Sequence, residues 1–280
     1  MPPILQKIYN YIVLSRPVNV VIAFITIIIA AGISGPLIPL KNLILAALSA
    51  SFITIGANVI NDYFDIEIDR VNKPKRILPA GRISKQNALI YFIAAYLIAW
   101  MLALLINIEM LLISVISGIV LILYSYKYKR VVLWGNFIVS FISGLAFIFG
   151  GLAVNRTNEA LFPAGFAFFF HFGREIIKDI QDIEGDKPQG AVTYPIKYGV
   201  RKSLILTNLI FTFLIIFTLL PYFLGYYGIY FLLIVVFGVH SVLLFVVITG
   251  WSNPSPQNLG RLSTLLKIDM LIGLLAIYMG

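Results

Sequence analysis

Long apolar segments recur along this chain from one end to the other. Sixty per cent of its residues are hydrophobic and the mean hydropathy is +0.95, whereas soluble domains have roughly 45–50% apolar residues. Each segment approaches the roughly 20 residues that a helix needs to cross the hydrocarbon core of a bilayer. The spans predicted in this way are 17–34, 40–61, 86–106, 109–126, 131–154, 160–178, 202–221, 226–249 and 262–279. The sequence therefore predicts an all-α integral membrane protein with about nine transmembrane helices.

The basic residues are distributed unevenly between the connections that join these spans. All but two of the 21 Lys and Arg residues lie in the N-terminal segment or near the connections after even-numbered spans. The other side carries only Lys41 and Arg156. Because cytoplasmic connections are enriched in Lys and Arg, we expect a multi-pass protein of the cell membrane whose basic side is cytoplasmic. The net charge of +9 then favours anionic lipid or phosphate, and not nucleic acid, as the partner.

One carboxylate pattern occurs twice. Residues 62–69 and 179–186 both read D-x-x-D-x-x-x-D, and Asn58 and Glu175 lie four residues before the first aspartate of each copy. At about 100° per helical residue, the aspartates of each copy share one face. Crowded carboxylates repel one another unless a cation lies among them, and clusters of oxygen atoms suit Mg²⁺. A solvated helix end would not explain the repeated spacing, so the pattern predicts a metal site.

Both acidic motifs, at 58–69 and 175–186, follow apolar spans on the predicted cytoplasmic side. The two spans are four apart, so a ring of helices could bring the motifs face to face. We therefore expect residues 1–280 to form a single transmembrane domain with two pseudo-repeated acidic motifs. The chain contains no cysteine, which excludes disulfides, thiol catalysis and thiolate metal sites.

Basic and polar side chains are predicted on the same membrane face as the acidic motifs. A metal-bound diphosphate would use Lys and Arg for the phosphate oxygens that the metal leaves unbound. Membrane orientation is the alternative explanation for any one of these basic residues. The substrate-binding candidates are Arg16, Asn19, Asn58, Lys73, Arg76, Tyr124, Lys127, Lys129, Arg130 and Lys178.

Other polar residues lie inside the apolar spans. His171 and His240 are interpreted as core side chains and not as metal ligands. Asp269 is an ionisable group within the ninth span, for which a structural pairing with another polar group is expected. Asn136 and Ser140 face the same way and could line a cavity or hold helices together.

The motifs resemble those of a known family. Residues 61–69 read N-D-x-x-D-x-x-x-D, Arg70, Lys73, Pro74, Arg76, Pro79 and Gly81 follow, and 182–186 read D-x-x-x-D. Together they resemble the UbiA superfamily of intramembrane prenyltransferases over nearly the whole chain. The resemblance implies nine helices in a ring around a central apolar cavity, and Mg²⁺-dependent transfer of a prenyl group from an isoprenyl diphosphate to a lipophilic acceptor.

The resemblance also implies roles for individual residues. Two Mg²⁺ ions are expected to hold the diphosphate of the donor. The metal ligands that it implies are Asn61, Asp62, Asp65, Asp69, Asp179, Asp182 and Asp186. The residues to which it assigns catalysis are Asp65, Asp69, Asp182 and Asp186.

Residues 123–130, 173–179, 184–186 and 190–196 are similar to the branch of this superfamily that serves archaeal ether-lipid synthesis. That branch implies geranylgeranyl diphosphate as donor and the hydroxyl of geranylgeranylglyceryl phosphate, a lipophilic phosphate-bearing molecule, as acceptor. Membrane lipid is a further expected partner, and nucleic acid is not.

Two alternatives remain open from the sequence. The first is prenylation of an aromatic acceptor, as in the synthesis of quinones from 4-hydroxybenzoate, of haem or of chlorophyll. The second, from another class, is an ion-coupled transporter whose ion sites are the paired acidic segments. Transporter sites lie near the bilayer midplane on broken helices, whereas these motifs fall at the predicted helix ends.

Overall fold

The structure is a computed structural model that describes residues 2–280. Fourteen α-helices and no β-strand occur in this range. The first seven are α1 (Pro3–Ser15), α2 (Pro17–Ser34), α3 (Leu40–Phe64), α4 (Ile66–Asn72), α5 (Lys85–Leu104), α6 (Ile108–Tyr126) and α7 (Trp134–Ala153). The others are α8 (Thr157–Gln181), α9 (Ile183–Asp186), α10 (Tyr194–Tyr198), α11 (Val200–Phe223), α12 (Ile229–Ile234), α13 (Ser241–Ser252) and α14 (Pro256–Met279).

The nine predicted spans correspond to nine long helical segments. A π-helical turn, Val235–His240, joins α12 to α13, so that Ile229–Ser252 forms one continuous segment. Within residues 2–280, eight of the nine segments are long and apolar enough to cross a membrane. The exception is α8, a 25-residue helix that carries charged residues of the second motif in its last turns. The prediction of an all-α, multi-pass membrane protein is confirmed.

Helix α1 was not among the predicted spans. Its apolar side chains recur at intervals of four residues, and Ile4, Ile8 and Ile12 are exposed. Leu14, at the end of the helix, is buried beside Val59 of α3. An apolar stripe on a helix too short to span is typical of helices that lie in the membrane interface.

The helices pack as two compact units. The first contains residues 2–129 and 146–158. Within it α3 contacts α2, α5 and α6. Ala31, Ala46 and Ala47 are completely buried at these contacts. Small side chains allow close approach of the helix backbones, which is how helices associate in lipid.

Tyr96 of α5 shows how closely the helices of the first unit approach. Its ring lies between Gly56 of α3 and Gly118 of α6, and its hydroxyl donates to the Gly118 carbonyl at 3.3 Å. A Cβ atom added at Gly56 would lie 2.3 Å from the ring, and one at Gly118 would lie 2.9 Å from it. The two glycines meet opposite edges of the ring, so a shift away from one glycine would bring it closer to the other.

The second unit contains residues 130–145 and 159–280. There α14 contacts α12 and α13, and α11 contacts α10, α12 and α13. Phe211 of α11 is completely buried, and a Cβ atom added at Gly173 of α8 would lie 2.2 Å from its ring. The buried face of α8 therefore fits against α11 just before the second acidic motif begins.

The polar residues within the spans of the second unit differ in their pairing. His240 is buried and its Nε2 lies 2.8 Å from the Thr218 hydroxyl, which makes it a core histidine as predicted. His171 is half-buried, and its Nδ1 has no hydrogen-bond partner in the described chain. Asp269 is completely buried, and neither of its carboxyl oxygens has a partner among residues 2–280. The expected pairing of Asp269 is therefore wrong.

The outer surface of the spans is apolar. Leu209, Ile216, Phe237, Ile248 and Leu271 are more than half exposed. A soluble protein does not leave so much apolar surface open to water. These side chains are the surface that contacts lipid.

We predict that Gly56→Ala destabilises the protein by about 1–3 kcal/mol, the usual cost of an extra methyl group in a packed core. The new Cβ would overlap the Tyr96 ring, which Gly118 blocks from the other side. The midpoint of thermal unfolding in detergent measures the change. Gly32→Ala is the matched control because its Cβ would meet only Leu37, at an ordinary 3.6 Å. An equal midpoint for both variants would contradict the packing described for Tyr96.

Candidate active site

The first acidic motif lies where α3 ends and α4 begins. The sequence predicted one continuous helical stripe, but α3 stops at Phe64 and Asp65 adopts φ −92° and ψ 1° before α4 starts. The Asp65 N–H still donates to the Asn61 carbonyl at 3.1 Å, and the Asp69 N–H to the Asp65 carbonyl at 2.8 Å. The hydrogen-bond ladder therefore continues through the break. The middle aspartate is the residue at which the chain changes direction.

The second motif has the same break. Asp182 adopts φ −95° and ψ 4° between α8 and α9. Its N–H donates to the Lys178 carbonyl at 2.9 Å, and the Asp186 N–H donates to the Asp182 carbonyl at 2.9 Å. The two copies therefore repeat in backbone conformation as well as in sequence.

A loop anchored by three buried residues positions Arg76 against the first motif. Ile77, Leu78 and Ile83 are buried in a cluster that includes Val59 of α3. This anchoring brings Arg76 Nη1 to 2.5 Å from Asp69 Oδ2 and 3.3 Å from Asp62 Oδ1. One guanidinium thus joins the first and last aspartates of the motif.

Arg16 reaches Asp62 from the junction of α1 and α2. It is the residue between the two helices and has a left-handed backbone, with φ 52° and ψ 73°. Non-glycine residues seldom adopt this conformation, which costs about 1–3 kcal/mol and is found mostly at functional sites. The Arg16 guanidinium forms an ion pair with Asp62. Asn58 Nδ2 fixes the junction by donating to the Ser15 carbonyl at 2.9 Å, and Asn19 lies within 3.5 Å of the Asn58 side-chain oxygen.

Lys129 pairs with the aspartate at the break. Its Nζ lies 2.6 and 2.7 Å from the two carboxyl oxygens of Asp65 and 3.1 Å from the Asn61 side-chain oxygen. The Lys129 side chain is only 15% exposed and that of Asp65 16%. Each of the three aspartates in the first motif is therefore paired with a basic side chain.

The second motif is held differently. Asp179 accepts a hydrogen bond from Asn136 Nδ2 at 2.8 Å. Lys178 pairs with Glu175, which also pairs with Arg174. Neither Asp182 nor Asp186 forms a hydrogen bond or ion pair through its side chain within the described chain.

The electrostatics of Asp186 reflect this arrangement. Burial raises the pKa of its carboxyl group, and the negative charge of Asp182 raises it further, while Lys178 lowers it. Within the described chain, Asp182 and Asp186 therefore lack an ion-pair partner, whereas Glu175 of the same motif pairs with Lys178 and Arg174.

The oxygen atoms of the motif side chains are suitable ligands for hard cations. Carboxylate and amide oxygens are the ligands that Mg²⁺ uses, together with water and substrate phosphates. In the described part of the chain, no three carboxylate or histidine groups lie close enough to hold a metal by themselves. A bound ion would therefore need oxygens from water or phosphate as well.

The substrate-binding candidates fall into three groups. Arg16, Asn19, Asn58, Arg76 and Lys129 lie at the first motif, and Lys178 lies at the second. The side chains of Lys73 and Lys127 form no hydrogen bond or ion pair with either motif in the described chain, and both residues are exposed, although the Lys73 N–H donates to the Asp69 carbonyl at 2.8 Å. Tyr124 and Arg130 are half-buried, and the Arg130 carbonyl accepts a hydrogen bond from the Val192 N–H at 3.1 Å.

Asn136 was considered from the sequence only as a cavity-lining or packing residue. Its bond to Asp179 was missed because the two residues are 43 positions apart and share no motif. The signal that could have found it is an amide in an otherwise apolar span, near the predicted cytoplasmic end.

The chain is similar in sequence to known prenyltransferases. The UbiA prenyltransferase family matches residues 20–266. A digeranylgeranylglyceryl phosphate synthase from Methanosphaera stadtmanae is 35% identical over 96% of this chain and 98% of its own length. The enzyme of the same name from Thermococcus sibiricus is 37% identical over 96% of each chain. That from Methanocaldococcus jannaschii is 36% identical over 99% of this chain and 97% of its own.

Solved structures agree with the fold. A structure described as digeranylgeranylglyceryl phosphate synthase in membranes shares 36% identity and a TM-score of 0.90, over 98% of both chains. A UbiA homolog from Archaeoglobus fulgidus bound to DMAPP and Mg²⁺ shares the fold, with 21% identity and a TM-score of 0.71 over 96% of this chain and 99% of its own. The family match spans most of the sequence, including both acidic motifs. The chain therefore belongs to the UbiA prenyltransferase family and is an intramembrane prenyltransferase.

Proposed function

We propose that this enzyme transfers a geranylgeranyl group from geranylgeranyl diphosphate to the hydroxyl of geranylgeranylglyceryl phosphate in archaeal ether-lipid synthesis. The observation that carries the proposal is the 35–37% identity, over nearly the whole chain, to enzymes named for this product. Membership of a prenyltransferase family argues against the alternative hypothesis of an ion-coupled transporter.

The acidic motifs are proposed to hold two Mg²⁺ ions against the donor diphosphate. Asn61, Asp65 and Asp69 would contribute ligands from the first motif, and Asp182 and Asp186 from the second, aided by Asp62 and Asp179. When bound, Mg²⁺ supplies positive charge that stabilises the departing diphosphate. The related Archaeoglobus protein was solved with both Mg²⁺ and DMAPP, which supports a metal-dependent reaction.

Lys129 and Arg76 are proposed to bind the diphosphate oxygens that the metal leaves free. Both already lie among the motif carboxylates, with Nζ and Nη1 within 2.7 Å of an aspartate oxygen. Positive groups beside the leaving diphosphate stabilise the negative charge that develops on it in the transition state. The allylic C–O bond would then break with its electron pair leaving on the diphosphate. The acceptor hydroxyl would attack the allylic carbon and pass its proton to a motif carboxylate or to the departing diphosphate. Water must be kept from this carbon, and the apolar setting of the spans serves that purpose.

The site is proposed to open on the cytoplasmic side. Arg16, Arg76, Lys129 and Lys178 all belong to the predicted cytoplasmic face, where Lys and Arg are enriched. A phosphate-bearing acceptor and a diphosphate donor would both be attracted to such a face.

We predict that Asp65→Ala and Asp182→Ala each lower turnover by at least about 100-fold, a loss typical when a group that stabilises transition-state charge is removed. Release of diphosphate from labelled geranylgeranyl diphosphate measures the rate, and excess EDTA should abolish it in the wild type. Glu67→Ala is the control, because this side chain is exposed and its ion-pair partners among residues 2–280 are Arg70 and Lys85. Full activity of either aspartate variant in a folded sample would contradict the metal role.

The acceptor is tested with a panel of compounds. Membranes that contain the enzyme are incubated with labelled geranylgeranyl diphosphate and geranylgeranylglyceryl phosphate or 4-hydroxybenzoate. We expect a labelled product only from the glyceryl phosphate. Prenylation of 4-hydroxybenzoate with no reaction of the phosphate would instead assign the aromatic alternative.

Asn136→Ala tests the support of the second motif. Loss of the amide leaves the Asp179 carboxyl group without its hydrogen-bond donor, which costs about 1–3 kcal/mol for a buried polar group. We expect a lower unfolding midpoint and reduced turnover. Ser143→Ala on the same helix is the control, since its hydroxyl bonds only the Val139 carbonyl of its own helix. Equal behaviour of the two variants would show that Asn136 does not support the motif.

A further inference from the structure

We propose that the two acidic motifs bind metal in a fixed order. The second motif takes a divalent cation without the donor, and the first takes one only after the donor diphosphate draws Lys129 and Arg76 away from its aspartates. The inference rests on the proposed function and concerns how that same site is loaded.

The first motif is already neutralised by its own chain. Lys129 Nζ lies 2.6 and 2.7 Å from the two carboxyl oxygens of Asp65, so one ammonium group covers both of the atoms that a metal would bind. A Mg²⁺ ion binds oxygen at about 2.0–2.1 Å, which would place it against the ammonium group. Like charges at that separation repel strongly, so the metal and the ammonium group compete for Asp65. We infer that Lys129 moves away when a metal binds there.

Arg76 protects the other end of the motif in the same way. Its Nη1 lies 2.5 Å from Asp69 Oδ2 and 3.3 Å from Asp62 Oδ1. Asp62 is paired with Arg16 as well. A metal that binds at the first motif thus competes with three basic side chains, not with water alone.

The second motif carries no such competition. Asp182 and Asp186 form no ion pair in the described chain, and the partner of Asp179 is the neutral amide of Asn136. The nearby Lys178 pairs with Glu175. A metal therefore binds at the second motif without displacing any positive group.

The donor removes the barrier at the first motif. A diphosphate offers Lys129 and Arg76 several charged oxygens, and guanidinium groups bind phosphate with two parallel hydrogen bonds. Once these side chains move to the diphosphate, the aspartate oxygens become available. Donor and metal then bind to the first motif with positive cooperativity, and each raises the affinity of the other by the same factor.

The number of bound Mn²⁺ ions tests this order. The full chain in detergent is titrated with Mn²⁺, and free Mn²⁺ is counted by electron paramagnetic resonance, with and without the unreactive thio analogue of geranylgeranyl diphosphate. We expect one ion per chain without the analogue and two with it. Asp182→Asn should remove the ion that binds without the analogue, and Asp65→Asn should keep it.

Lys129→Met provides the sharper test. Without the competing ammonium group, the first motif should bind Mn²⁺ in the absence of the analogue, about tenfold or more tightly than in the wild type, while the affinity for the analogue falls. Lys75→Met is the matched control, because this exposed lysine lies one position before Arg76 and forms no ion pair in the described chain. It should leave both affinities unchanged.

Three outcomes would overturn the order. These are two ions bound by the wild type without the analogue, a donor-independent ion lost in Asp65→Asn but retained in Asp182→Asn, or no gain of Mn²⁺ binding in a folded Lys129→Met variant. In each of these cases the proposed function stands. No Mn²⁺ binding under either condition would overturn the order and the proposed metal-dependent reaction together. The number of Mn²⁺ ions bound by the wild type, with and without the analogue, tests the binding order even if Lys129→Met does not fold.

Discussion

The pairing of the first-motif aspartates with Arg16, Arg76 and Lys129 is the interaction on which the site depends. These carboxylates lie at the end of a membrane helix, where an unpaired charge is expensive. Removing one partner of a buried pair typically costs about 3–5 kcal/mol. The three basic residues come from the α1–α2 junction, from the loop after α4 and from the segment after α6. These ion pairs therefore also hold the three connecting segments against the first motif.

The two motifs share a backbone and differ in electrostatics. Asp65 and Asp182 stand at equivalent breaks with nearly equal backbone angles. The first motif balances its charge with basic side chains, whereas the second uses the Asn136 amide and leaves Asp182 and Asp186 without ion pairs in the described chain. The same backbone conformation thus presents carboxylates in two different electrostatic settings.

Much of the fold follows from the sequence because span length and hydropathy are local properties. The nine spans and the two motifs were predicted, and so was the core position of His240. The features that could not be predicted depend on the direction in which side chains point and on partners that are distant in the sequence. Lys127 and Lys129 both lie in the same basic segment of the sequence, yet in the structure Lys129 pairs with Asp65 whereas Lys127 is exposed. The break at Asp65, the bond of Asn136 and the solitary Asp269 are likewise tertiary features.

The left-handed Arg16 has a mechanical consequence. It is the one residue that joins α1 to α2, so these two helices share no flexible linker. Helix α1 carries exposed isoleucines suited to the headgroup layer, while the Arg16 side chain ends on Asp62. Because a single residue separates α1 from α2 and its side chain pairs with Asp62, the placement of α1 is coupled through the chain to the placement of that carboxylate.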